Sequence, residues 1–266
     1  MAGRDRTGPD TDPPAIPGSL WRTHRSLERE AWAAALSDQL AGASPERVIG
    51  FAHDTLFPGR LALVSSFGAE SAALLAFAAD VDRSLPVVFL DTHKLFDETL
   101  AYRDRIVDLL GLTDVRVIHP KPEDLAADDP DGTLHERRPD LCCHIRKTLP
   151  LVRALKGFDA WLTGRKQYQS TVRARLPRVE IQDGRVKINP LADWNADDVR
   201  AEMDRRGLPP HPLVAKGYPS IGCAPCTSRV EDGEDLRAGR WRGQEKTECG
   251  IHLGADGRWV RSGGAD

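Results

Sequence analysis

Leu61-Ala62-Leu63-Val64-Ser65-Ser66-Phe67-Gly68-Ala69-Glu70-Ser71 is the stretch from which the fold can be read. Four apolar residues bounded by turn formers read as a buried strand. The apolar run 72–79 behind it reads as a helix. Serines and a glycine between strand and helix offer free N–H groups and hydroxyls beside the positive end of the helix dipole, an anion site in form. An ordinary βα turn has the same composition. The Walker A spacing and its Lys-Ser/Thr ending are absent. Glu70 would repel a bare phosphate, so it is expected to face a hydroxyl or to cap the helix.

Outward from this stretch the pattern repeats. Val87-Val88-Phe89-Leu90, Val115-Arg116-Val117-Ile118 and Ala160-Trp161-Leu162-Thr163 read as further strands. Helices are expected over 26–40, 44–57, 98–110 and 142–156, the last kinked or divided by Pro150. Gly111 can end the third of these in a left-handed turn. Asp183-Gly184 joins 179–181 to 186–188 as a hairpin, and Asn195 caps a helix through 206. The polar stretch 120–139 is expected as surface structure over the site. Strands alternating with helices imply a parallel sheet covered on both faces, with ligands at the strands' C-terminal ends.

The chain of 266 residues is 40% hydrophobic, enough for a real core, and its formal net charge is −3. That charge gives no reason to expect nucleic-acid binding. Any anionic ligand must be held by a local cluster of Arg and Lys. No apolar run reaches membrane-span length. Residues 1–22 are expected as a lead-in without fixed structure, 23–230 as the α/β domain, and 231–266 as a mobile tail. The lead-in has no apolar signal region, which points to the reducing cytoplasm, where cysteines serve metals or catalysis.

Five cysteines are present, and four form pairs: Cys142-Cys143 and Cys223-Ala224-Pro225-Cys226. Four thiolates suit a four-coordinate zinc or an iron–sulfur cluster. Adjacent cysteines diverge, which separate iron atoms tolerate better than one tetrahedral ion does. The fifth, Cys249, stands in a segment too polar to be core, near Arg237, Arg240, Lys246 and His252. Those cations can lower its pKa, and a lone thiolate suits covalent catalysis.

Taken together, these motifs resemble the adenylyl-sulfate and phosphoadenylyl-sulfate reductases, relatives of the PP-loop ATP pyrophosphatases. Ser65-Ser66-Phe67-Gly68-Ala69-Glu70-Ser71 is similar to their modified phosphate loop. The likeness continues in Phe89-Leu90-Asp91-Thr92, Leu95-Phe96, Glu98-Thr99, Thr163-Gly164-Arg165, Gln169-Ser170, Arg173, residues 217–227 and Glu248-Cys249-Gly250-Ile251-His252. It covers residues 44–252. His93, Gln167-Tyr168 and Arg242 depart from the usual pattern.

The resemblance implies a three-layer, parallel-sheet, adenine-nucleotide α-hydrolase-like (PP-loop-like) α/β fold. It implies a [4Fe–4S] cluster on Cys142, Cys143, Cys223 and Cys226, as in the family branch with Cys-Cys-x-x-Arg-Lys followed by Cys-x-x-Cys. Substrate contacts are implied at Ser65, Ser66, Phe67, Gly68, Glu70, Ser71, Leu90, Lys147, Gly164, Arg165, Arg173, Arg237, Arg240 and His252. Lys147 would reach both cluster and phosphosulfate. Cys249 would attack the sulfur of adenosine 5′-phosphosulfate, giving S-sulfocysteine and AMP. No cysteine is left over, so thioredoxin or a similar dithiol protein would release sulfite. The activity implied is that of an oxidoreductase of assimilatory sulfate reduction and cysteine biosynthesis. A homo-oligomer is left open. The alternative substrate is the 3′-phosphorylated nucleotide. A more distant alternative, a PP-loop iron–sulfur tRNA-thiolating enzyme, would want a Ser-Gly-Gly-x-Asp-Ser loop, which this chain lacks.

Overall fold

The computed structural model describes residues 26–244 and 246. Its helices are Ser26–Gln39 (α1), Pro45–Phe51 (α2), Ser71–Val81 (α3), Asp97–Leu110 (α4), Pro122–Asp128 (α5), Leu134–Arg137 (α6), Pro139–Cys143 (α7), Leu149–Ala154 (α8) and Ala196–Arg205 (α9). Its strands are Leu61–Ser65 (β1), Val87–Leu90 (β2), Val115–Ile118 (β3), Ala160–Leu162 (β4), Val179–Gln182 (β5) and Arg185–Ile188 (β6).

The six strands form one sheet in the order β3-β2-β1-β4-β6-β5. Every pairing is parallel except the β5–β6 hairpin. Its turn residues Asp183 and Gly184 both have positive φ, as such a tight connection requires. β1 lies centrally, with Leu63 opposite both Val87 and Leu162. The chain runs outward from β1 through β2 to β3, then crosses to β4 on the other side. The crevice at the C-terminal ends of β1 and β4 is therefore the topological switch point, where open α/β sheets bind ligands.

Alternation along the strands divides the core into two layers. Leu61, Leu63, Val87, Phe89, Ala160 and Leu162 face the larger layer, which also takes residues of α1, α2, α3, α4 and α9. Ala62, Val88, Leu90 and Trp161 face the other, packed with Leu151 and Leu155. Both sheet faces are thus covered, which is why these strands are almost continuously apolar. Full burial of a Leu or Val contributes about 1.5–3 kcal/mol, and β1 supplies several such residues.

The expected caps are present. Ser44 accepts from the Arg47 N–H at 3.3 Å. Asn195 and Asp198 cap each other reciprocally. Gly111 ends α4 at φ +65°.

Three expectations need revision. The helix expected over 142–156 begins earlier, at Pro139, and is divided by a π turn, His144–Thr148, whose closing bond runs from the Leu149 N–H to the His144 carbonyl. Pro150 has no N–H for the carbonyl four residues back, and the wider turn accommodates that missing donor. The stretch 120–139 is more than polar surface, because it carries α5 and α6 and buries Leu134 and Asp129. Residues 231–244 pack against the body: the Ser228 N–H donates to the Gly239 carbonyl at 2.8 Å and the Trp241 N–H to the Cys226 carbonyl at 3.1 Å. Among the described residues no helix is long and apolar enough to cross a membrane.

Candidate functional site

Where β1 ends, the chain turns through Ser66 to Glu70 into α3. The Phe67 N–H donates to Ser65 Oγ at 3.1 Å and the Ser71 N–H to the Gly68 carbonyl at 3.1 Å. Phe67 has φ +48°, and its fully buried ring meets Phe89 edge-on at 5.4 Å. That contact anchors the loop in the core and leaves the residues around it at the surface of a cavity. A Cβ on Gly68 would stand 3.3 Å from Ser66 Oγ and 3.6 Å from the Ile221 carbonyl oxygen, so the two backbones meet closely there.

The cavity has a volume of about 280 Å³ and opens at the switch point. The loop contributes Ser65, Ser66, Gly68, Glu70 and Ser71, β2 contributes Leu90, and the turn after β4 contributes Gly164 and Arg165. Lys147, Arg173, Arg237 and Arg240 converge on it from the helical and C-terminal segments. Of the expected substrate contacts, Phe67 alone among the described residues points into the core. Cys249 and His252 lie outside the described residues.

Lys166 and Lys187 also line the cavity, making seven basic side chains there against one carboxylate, Glu70, among the described residues. In a protein of net charge −3 this is a strong local reversal. Arg165 is paired with Glu180 and Lys166 with Glu70, and the excess of positive charge that remains suits an anion.

Glu70 precedes α3 but makes no side-chain cap. Its carboxylate instead accepts from Lys166 Nζ at 2.9 Å, from Gln169 Nε2 at 2.8 Å and from the Tyr168 hydroxyl. Burial alone would raise its pKa, but Lys166, Tyr168 and Gln169 together hold it below the usual carboxylate value. Burial and the Glu70 charge push the Tyr168 hydroxyl far up. Arg173 reaches the same cluster through Gln169 Oε1 at 2.5 Å. Lys187 donates to Gln182 Oε1 at 2.7 Å and stands 4.7 Å over the Trp161 ring.

Behind this cavity lies a smaller one, lined by all four paired cysteines together with Lys94, His135, Arg146, Lys147 and Trp241. Cys142 and Cys143 close α7, and the 3₁₀ turn Ala224–Cys226 holds the other pair, with the Ala224 N–H on the Lys94 carbonyl at 2.7 Å. The Thr92 hydroxyl lies 3.2 Å from Cys223 Sγ. Arg146 is pinned by Asp129, its Nε at 3.1 Å and Nη2 at 2.5 Å, and donates to the Thr92 carbonyl at 2.8 Å. Burial pushes the Cys142 thiol up to about 11; Arg146 opposes this, and Cys223 and Cys226 add to it. Among the described residues no three Cys, His, Asp or Glu side chains converge on one metal ion. Four thiols around one mostly buried cavity are nevertheless the donor set that fits a cysteine-ligated cluster. Lys147 and Trp241 line both cavities.

Sequence reading missed Lys166, Tyr168, Lys187 and Trp241 as cavity residues. Gln167-Tyr168 stands out in the sequence only as a departure from pattern, and no spacing marks Lys187 or Trp241.

Fold and site together define a PP-loop-like α/β protein with an anion cavity at the switch point and a thiol cavity beside it. The sequence profile of the phosphoadenosine phosphosulfate reductase domain matches residues 60–229. The adenosine 5′-phosphosulfate reductase of Mesorhizobium japonicum is 50% identical over 223 residues, covering 84% of this chain and 88% of the relative. The enzyme of that name from Mycolicibacterium smegmatis is 40% identical, over 81% and 91%. The crystal structure of the phosphoadenylyl-sulfate reductase of Candida auris, a phosphate complex, superimposes with a TM-score of 0.65 at 29% identity, covering 78% of this chain and 98% of that one. The chain belongs to the phosphoadenosine phosphosulfate reductase domain family, and it is an oxidoreductase.

Proposed function

We propose that the chain reduces adenosine 5′-phosphosulfate to sulfite and AMP in sulfate assimilation. The observation that carries this reading is the cavity with seven basic side chains and one carboxylate, placed beside the loop that leads from β1 into α3. The names of the relatives, adenosine 5′-phosphosulfate reductase, support the unphosphorylated nucleotide as substrate.

In this reading Lys147, Arg173, Arg237 and Arg240 offset the mutual repulsion of a thiolate and a phosphosulfate. The Cys249 thiolate attacks the sulfonate sulfur, the S–O bond to the phosphate breaks, and AMP leaves with that electron pair. A thiol of an external dithiol protein, thioredoxin or one like it, then attacks Cys249 Sγ and sulfite departs. The partner's second thiol closes its disulfide and returns Cys249 as thiolate. Two electrons have passed from the dithiol to sulfur, and the balance closes.

Cys142, Cys143, Cys223 and Cys226 would hold a [4Fe–4S] cluster. Bound there, it would supply a fixed charge and a rigid anchor for the two thiol-bearing segments. Lys147, facing both cavities, would orient the phosphosulfate. The two electrons needed come from the dithiol, so the residues around the thiols organise the site.

The test is anaerobic turnover of the nucleotide with and without its 3′-phosphate, with thioredoxin as donor, following sulfite and AMP, and assaying iron on the same sample. Turnover of the unphosphorylated form is expected, with Cys249→Ser inactive but still binding AMP. A sample with a full complement of iron that yields no sulfite from either nucleotide would sink the reading.

A further inference from the structure

The segment after Cys226 folds back over both cavities, and Trp241 is its hub. Trp241 is 3% exposed. Three cations surround it: Arg240 Cζ at 4.4 Å, Lys246 Nζ at 5.7 Å and Arg237 Cζ at 5.9 Å from the ring centroid. Like charges so close repel one another, and an aromatic face in a desolvated setting is a group that attracts all three. The backbone is held too. Trp241 sits at φ +50°, a conformation that is unfavourable for a non-glycine residue. It is over-determined by the N–H donated to the Cys226 carbonyl at 3.1 Å and by the Gln244 N–H received at 2.9 Å.

Arg240 is fitted with equal closeness. Its Nη1 donates to the Ile221 carbonyl at 3.3 Å, and its Nε is buried without a hydrogen-bond partner. A Cβ on Gly222 would lie 2.2 Å from Nη2, so the guanidinium occupies the space that any side chain there would need. Gly222 immediately precedes Cys223. Arg237 and Arg240 line the anion cavity, while Trp241 lines that cavity and the thiol cavity as well.

We propose that Trp241 is a positioning residue: its ring holds Arg237 and Arg240 in the anion cavity, and its backbone ties their placement to the Cys223–Cys226 turn. The inference rests on the sulfonucleotide reading above. Arginines ordered before the ligand arrives lose less freedom on binding it, so the ring contributes affinity without touching the ligand. Removing the ring while keeping a core side chain, as in Trp241→Leu, releases both arginines. Trp241→Phe keeps a face for them.

Calorimetric titration of the iron-loaded full chain with AMP tests this, with inorganic pyrophosphate titrated in parallel. Trp241→Leu is expected to weaken AMP binding by about tenfold or more, and Trp241→Phe to recover it to within about threefold of the starting protein. In an Arg240→Ala background, Trp241→Leu should cost less than about threefold further, because residues acting through one another are non-additive. A Leu variant that binds as the parent does, a Phe variant no better than Leu, or additive losses in the double variant would each overturn the proposal. Additivity also identifies a merely structural role should the Leu variant lose iron. If the parent binds pyrophosphate but not AMP, the sulfonucleotide reading fails, and the same three criteria on pyrophosphate still decide the role of Trp241.

Discussion

Each cavity is braced by a buried pair of opposite charges, and the two pairs are built differently. Asp129 and Arg146, beside the thiols, have side chains 0% and 6% exposed. Both aspartate oxygens are occupied, Oδ2 by the guanidinium and Oδ1 by the Leu134 N–H at 2.8 Å. Glu70 and Lys166, beside the loop, differ in one respect: the lysine is 1% exposed but the carboxylate keeps 27%. The first pair is closed and ties the thiol-bearing segment to α6 and to the end of β2. The second leaves a carboxylate edge facing the cavity. A closed pair fixes structure, whereas an open one can also meet a ligand.

The harshest test of this contrast is Asp129→Ala. It leaves Arg146 charged in the interior, and breaking such a pair costs about 3–5 kcal/mol. Urea unfolding should record that loss, and a loss under about 1 kcal/mol would mean that Arg146 finds solvent easily.

Acid unfolding sharpens the comparison, because a third group titrates in a separate range. His211 accepts the Leu213 N–H at 3.2 Å and contacts Thr99 Oγ1 at 3.1 Å, and burial lowers its pKa from 6.5 to about 4. The unfolded chain therefore takes a proton that the folded chain refuses. Stability is full above about pH 6.5 and falls as pH drops towards 4, by up to about 3 kcal/mol. The carboxylates of both pairs sit below their ordinary values, so their contributions are lost only at lower pH. His211→Gln should flatten the upper limb of the stability–pH curve and leave the lower one. If the upper limb persists, another group is responsible.

Glu70→Gln probes the open edge. It keeps the shape and removes the charge that would oppose a 3′-phosphate. The kcat/KM ratio between unphosphorylated and phosphorylated nucleotide should fall by about tenfold, close to 1.4 kcal/mol. An unchanged ratio would place the extra phosphate elsewhere. Smallest of all, Tyr168→Phe removes one of three donors to Glu70 and should cost about 0.5–1.5 kcal/mol in stability.

The same contrast marks what the sequence could convey. β1, β2 and β4 were legible because Leu61 to Val64, Val87 to Leu90 and Ala160 to Leu162 are short apolar runs between turn formers, and β5 and β6 because Asp183-Gly184 joins them. The cap residues Ser44 and Asn195 and the left-handed Gly111 were legible from local chemistry. The paired cysteines were marked by spacing. Asp129 and Lys166 were not, since their partners Arg146 and Glu70 lie 17 and 96 residues away and no local pattern distinguishes a buried charge from a solvated one. Trp241 was hidden for the same reason: its setting among polar and glycine residues reads as a tail, and only the return of the chain onto Cys226 buries it.

The partition between the cavities has a thermodynamic consequence. Lys147 and Trp241 are common to both walls, so whatever fills one side changes the surroundings of the other. Linkage makes such coupling reciprocal: if loading the thiols tightens the grip on a nucleotide by some factor, the nucleotide tightens the grip on the thiols' occupant by the same factor. With the proposed cluster on Cys142, Cys143, Cys223 and Cys226, oxygen or chelators should then strip it more slowly when AMP is present, and the nucleotide becomes a guardian of the neighbouring site.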